Sequence, residues 1–298
     1  MNKVKLKGVL PPMITPFKEN GDADYSAFIS NIEKWNDDKM AGYLVLGSNS
    51  ETVYLNEEEK IEFIKLTVEH AKKGRHVMAG TGAESLRETI RFTNIAAKLG
   101  AHSALVLTPY YYGSQMTSEA LIKYFTTLAD NSDIPILLYN VPKFTHVNIK
   151  ADAVAALSTH PNIIGMKDSL GDVPQLATFK RIVPGDFNLI VGTASAWYPA
   201  LALGIEAGIM ALANSNPNEC AMVQEEFEKG NWEKARSIYQ AVFPINTAVT
   251  GTYAIAGLKY ACDILGYKGG FVRSPLMELT SSDKEKIKDI INKSLKLL

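Results

Sequence analysis

The sequence predicts a (β/α)8 TIM barrel, and three observations carry that expectation. Eight short apolar runs, rich in Val, Ile and Leu with little polar alternation, recur between residues 8 and 214. Strands covered on both faces read in this way. Each run is followed by a longer amphipathic stretch, and eight such units in this length match the count and size of the barrel. The main alternative, a doubly wound sheet, usually needs fewer strands. It would also show a Gly-rich dinucleotide fingerprint after the first strand, and none is present.

Taken in order, the strand segments are GVLPPMIT (8–15), GYLVLG (42–47), HVMAGTG (76–82), SALVLTP (103–109), PILLYNVP (135–142), IIGMKDS (163–169), NLIVGT (188–193) and AGIMALAN (207–214). Helical patterns separate them. NEEEKIEFIKLTVEHAKK (56–73) carries acids in its first turn and lysines in its last, as the helix dipole favours. SLRETIRFTNIAAKLG (85–100) ends in Gly100, a suitable residue just past a helix C-terminus. Residues 217–298 continue as helices without strands. The expected organisation is a barrel over 1–216 and an additional C-terminal helical layer, 217–298, packed on it.

Composition narrows the functional classes. A chain of 298 residues with 46% hydrophobic content can bury a large core. A net charge of −1 leaves no basic footprint for nucleic acid. The lysine-dense start (Lys3, Lys5, Lys7) and end (Lys284 to Lys296) read as solvated faces. No run has the uninterrupted apolar length of a membrane span, and the first residues lack the apolar core of a secretory signal. Cys220 and Cys262 fit neither a metal-ligand spacing nor a disulfide framework, so a reducing, cytoplasmic compartment is expected. The five histidines are unclustered, and no metal site is expected.

In this fold chemistry gathers at the C-terminal ends of the strands. The unusual residues fall there: Gly47–Glu51 after the second strand, Thr108–Tyr112 after the fourth, Tyr139–Pro142 in the fifth and Lys167–Ser169 in the sixth. Lys167 interrupts an apolar run. Strand alternation puts Ile163, Gly165, Lys167 and Ser169 on one face and Ile164, Met166 and Asp168 on the other. With the first set inward, the amine stands near the barrel mouth above a small Gly165. A strand-end lysine often only snorkels to solvent. The other lysines, however, fall in helical, loop or terminal segments, and a desolvated lysine has the depressed pKa that a carbonyl-attacking amine needs. Tyr139, one strand away at the same height, is either core or a proton carrier. The Gly47–Glu51 turn offers N–H groups and small polar side chains suited to a carboxylate, although Gly-Ser-Asn also spells an ordinary turn. Tyr110, Tyr111 and Tyr112 in succession suggest an interface. Asp168 and Glu51 read as loop-ordering carboxylates rather than metal ligands.

Assembled, these residues resemble the dihydrodipicolinate synthase / N-acetylneuraminate lyase family of pyruvate-dependent class I aldolases. The segments that carry the resemblance span most of the chain: PMITPF (12–17), GSNSE (47–51), TPYYY (108–112), YNVP (139–142), GMKDS (165–169) and GTASAWYPALALG (192–204). The resemblance implies that Lys167 forms the Schiff base and that Tyr139 is the acid/base. It implies that Ser48 and Asn49 hold the 2-oxo acid carboxylate, with Ser48 also in the proton relay. Tyr111 matches a tyrosine donated into a neighbouring subunit's site, and Gly192 joins the substrate-binding set. It further implies a homotetramer built as a dimer of dimers, pyruvate as substrate, and no metal or organic cofactor.

Departures bear on the subfamily. Phe144 stands where dihydrodipicolinate synthases place an arginine for the carboxylate of aspartate semialdehyde. Ser50 and His146 each stand where glycine is usual, and KDSLGD (167–172) does not fit the neuraminate lyases. Together with NTAVTG…GLKYACDILGYKGGFVRSPL (246–276), the pattern resembles the 4-hydroxy-2-oxoglutarate aldolase branch, where Ser169 matches a substrate-contacting serine. The expected reaction is therefore cleavage of a 4-hydroxy-2-oxo acid to pyruvate and an aldehyde such as glyoxylate. The alternatives are the synthase itself and a 2-keto-3-deoxy sugar-acid aldolase.

Overall fold

The computed structural model describes residues 4–298, so Lys3 lies outside the described residues. Eight parallel strands form a TIM barrel: β1 (Gly8–Leu10), β2 (Gly42–Val45), β3 (His76–Gly80), β4 (Ser103–Leu107), β5 (Ile136–Asn140), β6 (Ile163–Asp168), β7 (Asn188–Val191) and β8 (Ala207–Ile209). Neighbours in sequence pair in space, and β1 pairs with β8. Closure between β1 and β2 rests on loop hydrogen bonds, from the Met13 N–H to the Leu44 carbonyl (2.8 Å) and from the Leu44 N–H to the Pro11 carbonyl (3.0 Å). The first strand is shorter than its apolar run because Pro11 and Pro12 have no N–H to give a ladder. The last is also short, since its run turns into a helical turn at Ala211–Asn214.

Helices α1 (Tyr25–Asp37), α2 (Glu57–His70), α3 (Leu86–Lys98), α4 (Ser118–Asp130), the single turn α5 (Pro142–Thr145), α6 (Ala151–Ser158), α7 (Val173–Ile182) and α8 (Trp197–Ala202) fill the connections. The Asn56 side chain accepts from the Glu59 N–H while the Glu59 carboxylate accepts from the Asn56 N–H, which fixes the start of α2. That helix stops at His70, so Lys72 and Lys73 lie beyond its last turn rather than in it. Residues 217–298 contribute α9 (Pro217–Glu228), α10 (Trp232–Thr247), a π turn at Ala248–Thr252, α11 (Ala254–Ile264) and α12 (Ser281–Leu295). No helix among the described residues is long and apolar enough to cross a membrane.

Two apolar layers separate the strand faces. Leu10, Leu44, Met78, Leu105, Leu137, Ile164, Ile190 and Ile209 fill the barrel. Ile136, Leu138, Ile163, Met166, Leu189 and Val191 face the helices. The sixth strand departs from simple alternation. Consecutive residues Ile136 and Leu137 pair with Ile163 and Gly165, so β6 carries one extra residue, a bulge at Ile164. Ile163 therefore lies on the helix side and Ile164 inside, which corrects the expectation that Ile163 shares the face of Lys167. The carbonyl that the bulge frees at Ile164 accepts from the Asn188 side-chain amide at 2.8 Å. Above the bulge, Tyr139 pairs with Lys167 and Asn140 with Asp168.

Gly165 leaves no room for growth. A Cβ there would stand 2.8 Å from the Asn188 Cβ and 3.1 Å from Leu137 Cδ2, and would overlap the Asn188 backbone carbonyl. Gly165→Ala is expected to cost about 1–3 kcal/mol through overpacking. The measurement is urea unfolding, with a lower midpoint at unchanged slope.

Candidate active site

The site is built upward from the bulge. Past it, Lys167 points into the upper barrel and is only 3% exposed. Its Nζ stands 4.4 Å from the centroid of the Tyr139 ring. Burial pushes the Lys167 ammonium's pKa down, and Tyr139 acts weakly in the opposite direction. No carboxylate among the described residues reaches this amine as an ion pair. Water is excluded and no counter-charge replaces it, so the neutral form is favoured.

Tyr139 is buried, and its hydroxyl lies 3.3 Å from Ser48 Oγ. Ser48 and the half-buried Asn49 sit on a single helical turn, Ser48–Ser50, directly above β2. That turn is pinned from beneath: the Ser50 hydroxyl donates to the Met13 carbonyl (2.5 Å), and the Thr15 hydroxyl donates to the Ser50 carbonyl (2.8 Å). Ser50 thus fits this turn through its own hydroxyl bond to the PMITPF segment. Lys167, Tyr139 and Ser48 form one contiguous cluster.

Ser169 and Gly192 meet on the adjoining side. The Ser169 hydroxyl donates to the Gly192 carbonyl at 3.3 Å, and the Gly192 N–H donates to the Asp168 carbonyl at 2.6 Å. A Cβ on Gly192 would overlap Ser169 Oγ, so glycine is required for that approach. Asp168 points outward and orders the loop. Its carboxylate takes the amides of Asn140 (3.0 Å) and Gln175 (2.7 Å) and the Leu170 N–H (2.8 Å). Its pKa is nonetheless raised, because burial outweighs those bonds.

Tyr111 does not join the buried cluster. The Glu84 carboxylate holds the Tyr110 and Tyr111 N–H groups, and the Tyr111 ring stands in solvent, 76% exposed, edge-on to Tyr112. Phe144 on α5 is 54% exposed. The neighbouring Lys143 ammonium donates to the Thr250 carbonyl at 2.9 Å. His146, just past α5, has φ 54°, a left-handed backbone for which glycine is the easier residue.

The profile of the dihydrodipicolinate synthetase family matches residues 5–294. The chain belongs to that family. It is accordingly a carbon–carbon lyase of the class I aldolase type, in a family that uses pyruvate. Among its relatives is a 4-hydroxy-tetrahydrodipicolinate synthase of Methanospirillum hungatei, 34% identical over 290 residues that cover 96% of this chain and 99% of the relative. Another of the same name, from Thermodesulfovibrio yellowstonii, is 35% identical over 285 residues, covering 96% and 97%. The crystal structure of a dihydrodipicolinate synthase from Aquifex aeolicus superposes with a TM-score of 0.90 at 31% identity, covering 98% and 99% of the two chains. These relatives carry the synthase name, so the expected placement in the 4-hydroxy-2-oxoglutarate aldolase branch finds no support among them.

Two anchors that the sequence does not single out reach the Gly47–Glu51 loop: Lys259 on α11 and Arg273 in the connection between α11 and α12. Lys259 lies in the apolar stretch IAGLKYAC (255–262), the same kind of signal that singles out Lys167.

A buried, unpaired amine costs stability, so Lys167→Met is expected to raise the melting temperature at neutral pH. The folded-state pKa lies below the unfolded value. Above the folded pKa the unfolded chain therefore binds more protons, and the unmodified protein gains stability until the ordinary lysine value of 10.5 is passed. The advantage of Lys167→Met should shrink over that window, read by thermal melts from pH 7 upward.

Proposed function

We propose that this chain makes or breaks a carbon–carbon bond at the methyl carbon of pyruvate held as a Schiff base on Lys167. The observation that carries the reading is Lys167 itself: inside the barrel mouth, desolvated and without a counter-ion, beside Tyr139. The neutral amine attacks the 2-oxo carbon, and water leaves as the imine forms. The protonated imine then withdraws electrons while C3 loses a proton, giving an enamine. The enamine carbon attacks an aldehyde, and the Tyr139 hydroxyl donates the proton that the new alkoxide needs. The proton released at C3 returns to Tyr139 through the hydrogen-bonded Ser48, and hydrolysis frees Lys167. Cleavage is the same path reversed. On this reading Ser48 and Asn49 meet the pyruvate carboxylate, and Ser169 and Gly192 line the adjoining wall. A second copy covers Tyr110–Tyr112, with Tyr111 reaching the neighbour's site in a homotetramer.

For the aldehyde, the names of the relatives support condensation with aspartate semialdehyde, the 4-hydroxy-tetrahydrodipicolinate synthase reaction. One observation favours a second reading. Phe144 supplies no charge-assisted contact to a carboxylate, and the adjacent Lys143 is committed to the Thr250 carbonyl. Such a contact is worth about 1.5–3 kcal/mol. Its loss suits cleavage of a 4-hydroxy-2-oxo acid or a 2-keto-3-deoxy aldonate.

Borohydride reduction in the presence of pyruvate should label Lys167 and inactivate the protein. Lys167→Ala should lose the label and Lys143→Ala keep it, as read by peptide mass mapping. Label persisting in Lys167→Ala would end this reading. Tyr139→Phe should retain the fold and lower turnover by about 10²–10⁴-fold.

The two aldehyde readings separate on kcat/KM. The synthase reading expects condensation with aspartate semialdehyde to exceed both cleavage reactions by at least about tenfold, or 1.4 kcal/mol in the transition state. The reverse ratio establishes the second reading.

A further inference from the structure

Lys259 is another amine that this fold buries, and the proposed chemistry does not use it. It sits on α11, is 2% exposed, and forms an ion pair with Glu51, itself 3% exposed. The Lys259 ammonium also donates to the Phe271 carbonyl at 2.5 Å and stands 4.5 Å from the centroid of the Phe17 ring. The other Glu51 oxygen accepts the main-chain N–H of Arg273 at 2.9 Å. The Arg273 guanidinium lies 4.2 Å from the same Phe17 centroid and forks onto Glu59 of α2 at 2.6 and 2.7 Å. It also donates to the carbonyls of Gly21 and Tyr54. Charges thus alternate from Glu59 through Arg273 and Glu51 to Lys259, with the two cations bracketing one aromatic ring.

Stability does not account for this arrangement. A buried ion pair roughly breaks even against apolar side chains of the same volume, because desolvation of both groups offsets their attraction. Glu51 also holds φ at 53°, in the left-handed region that costs a non-glycine residue roughly 1–2 kcal/mol. A strained, charged residue kept in the interior needs another reason. Its place in the chain supplies one. Glu51 closes the turn that bears Ser48 and Asn49, and its own N–H donates to the Ser48 carbonyl at 3.3 Å. In one tight turn the Glu51 backbone is coupled to that of Ser48, whose hydroxyl meets Tyr139, so anchoring the Glu51 side chain steadies both.

We propose that Lys259 and Arg273 are positioning residues: through Glu51 they hold the Ser48–Asn49 turn in the geometry that receives the carboxylate of the 2-oxo acid. The C-terminal region, through α11 and the connection that follows it, thereby sets the affinity of the barrel mouth. The inference rests on the reading of Ser48 and Asn49 given above.

The test is the double variant Glu51→Gln/Lys259→Met, which removes both charges and keeps both shapes, so that no ion is left buried alone. In full-length protein with native near-ultraviolet circular dichroism, the KM for pyruvate should rise about tenfold, equivalent to 1.4 kcal/mol. The kcat should change by less than about threefold, and borohydride at saturating pyruvate should still label Lys167. Ile291→Ala, on the buried face of α12, serves as the stability control: it should lower the melting temperature and leave KM unchanged. Arg273→Lys, which keeps the charge but loses the fork, takes the same measurements if the double variant does not fold, with a smaller rise in KM expected. An unchanged KM in whichever variant folds, with pyruvate trapped normally by the unmodified protein, overturns this inference alone. Failure of the unmodified protein to trap pyruvate overturns the parent reading and this one with it.

Discussion

A buried ammonium with no counter-ion is the constraint around which the upper barrel is arranged. The protein buries two lysines almost completely, and in both desolvation lowers the pKa. At Lys259 the Glu51 carboxylate opposes that shift, and the Phe271 carbonyl takes another of its protons. At Lys167 the opposing influence comes from Tyr139 alone. Residue type and burial are therefore the same and the electrostatic settings differ. The paired lysine has a carboxylate to favour its charged form, while the unpaired one has only Tyr139. Chemistry at a carbonyl needs the second kind, and a strand interior is the place where a lone amine cannot swing to water for relief.

Putting the amine there depends on register. In a strand, a slip of one residue moves every side chain to the other face. The extra residue at Ile164 applies that slip once, below Lys167, so that both Ile164 and Lys167 face inward. The cost of the bulge is a carbonyl without a ladder partner, and the Asn188 side chain removes it. The same amide also donates to the Val4 carbonyl, and its oxygen accepts the Leu6 N–H, so the floor of the barrel is tied to the strand that carries the amine at its mouth. Gly165 completes the arrangement, because the bulged strand comes too close to Asn188 for any side chain. Tyr139 then needs no special device: straightforward pairing of β5 with β6 sets it beside Lys167.

Much of this was legible in the sequence because it rests on short-range patterns. Apolar runs of strand length separated by amphipathic stretches spell the barrel, and a charged residue inside such a run stands out without any knowledge of its neighbours. What could not be read depends on contacts distant in sequence or on another chain. The face of Ile163 turns on a bulge whose satisfaction comes from Asn188, 24 residues along the chain. Lys259 interrupts an apolar stretch as Lys167 does, but its partner Glu51 is more than 200 residues away, so its pairing is out of reach of local pattern. The C-terminal end of α2 falls short of its lysines because the chain turns at Ala71, where the pattern continues to look helical. The Tyr110–Tyr112 run is visible as an anomaly in the sequence and remains one in the single chain, where Tyr111 and Tyr112 are largely exposed.

The two halves of the reaction are also unequally encoded. The residues proposed for the pyruvate half lie on rigid strand ends and on a turn clamped from three sides, by Met13, Thr15 and the Lys259–Arg273 anchors. Those positions tolerate little change, so chains that diverge by two thirds of their residues can still share that half. The residues proposed for the aldehyde half lie on α5, a single turn on which Phe144 and Lys143 are exposed and substitution costs the fold little. Specificity in such a barrel can change without disturbing the Schiff base, and Phe144 stands at a position where that change is cheapest.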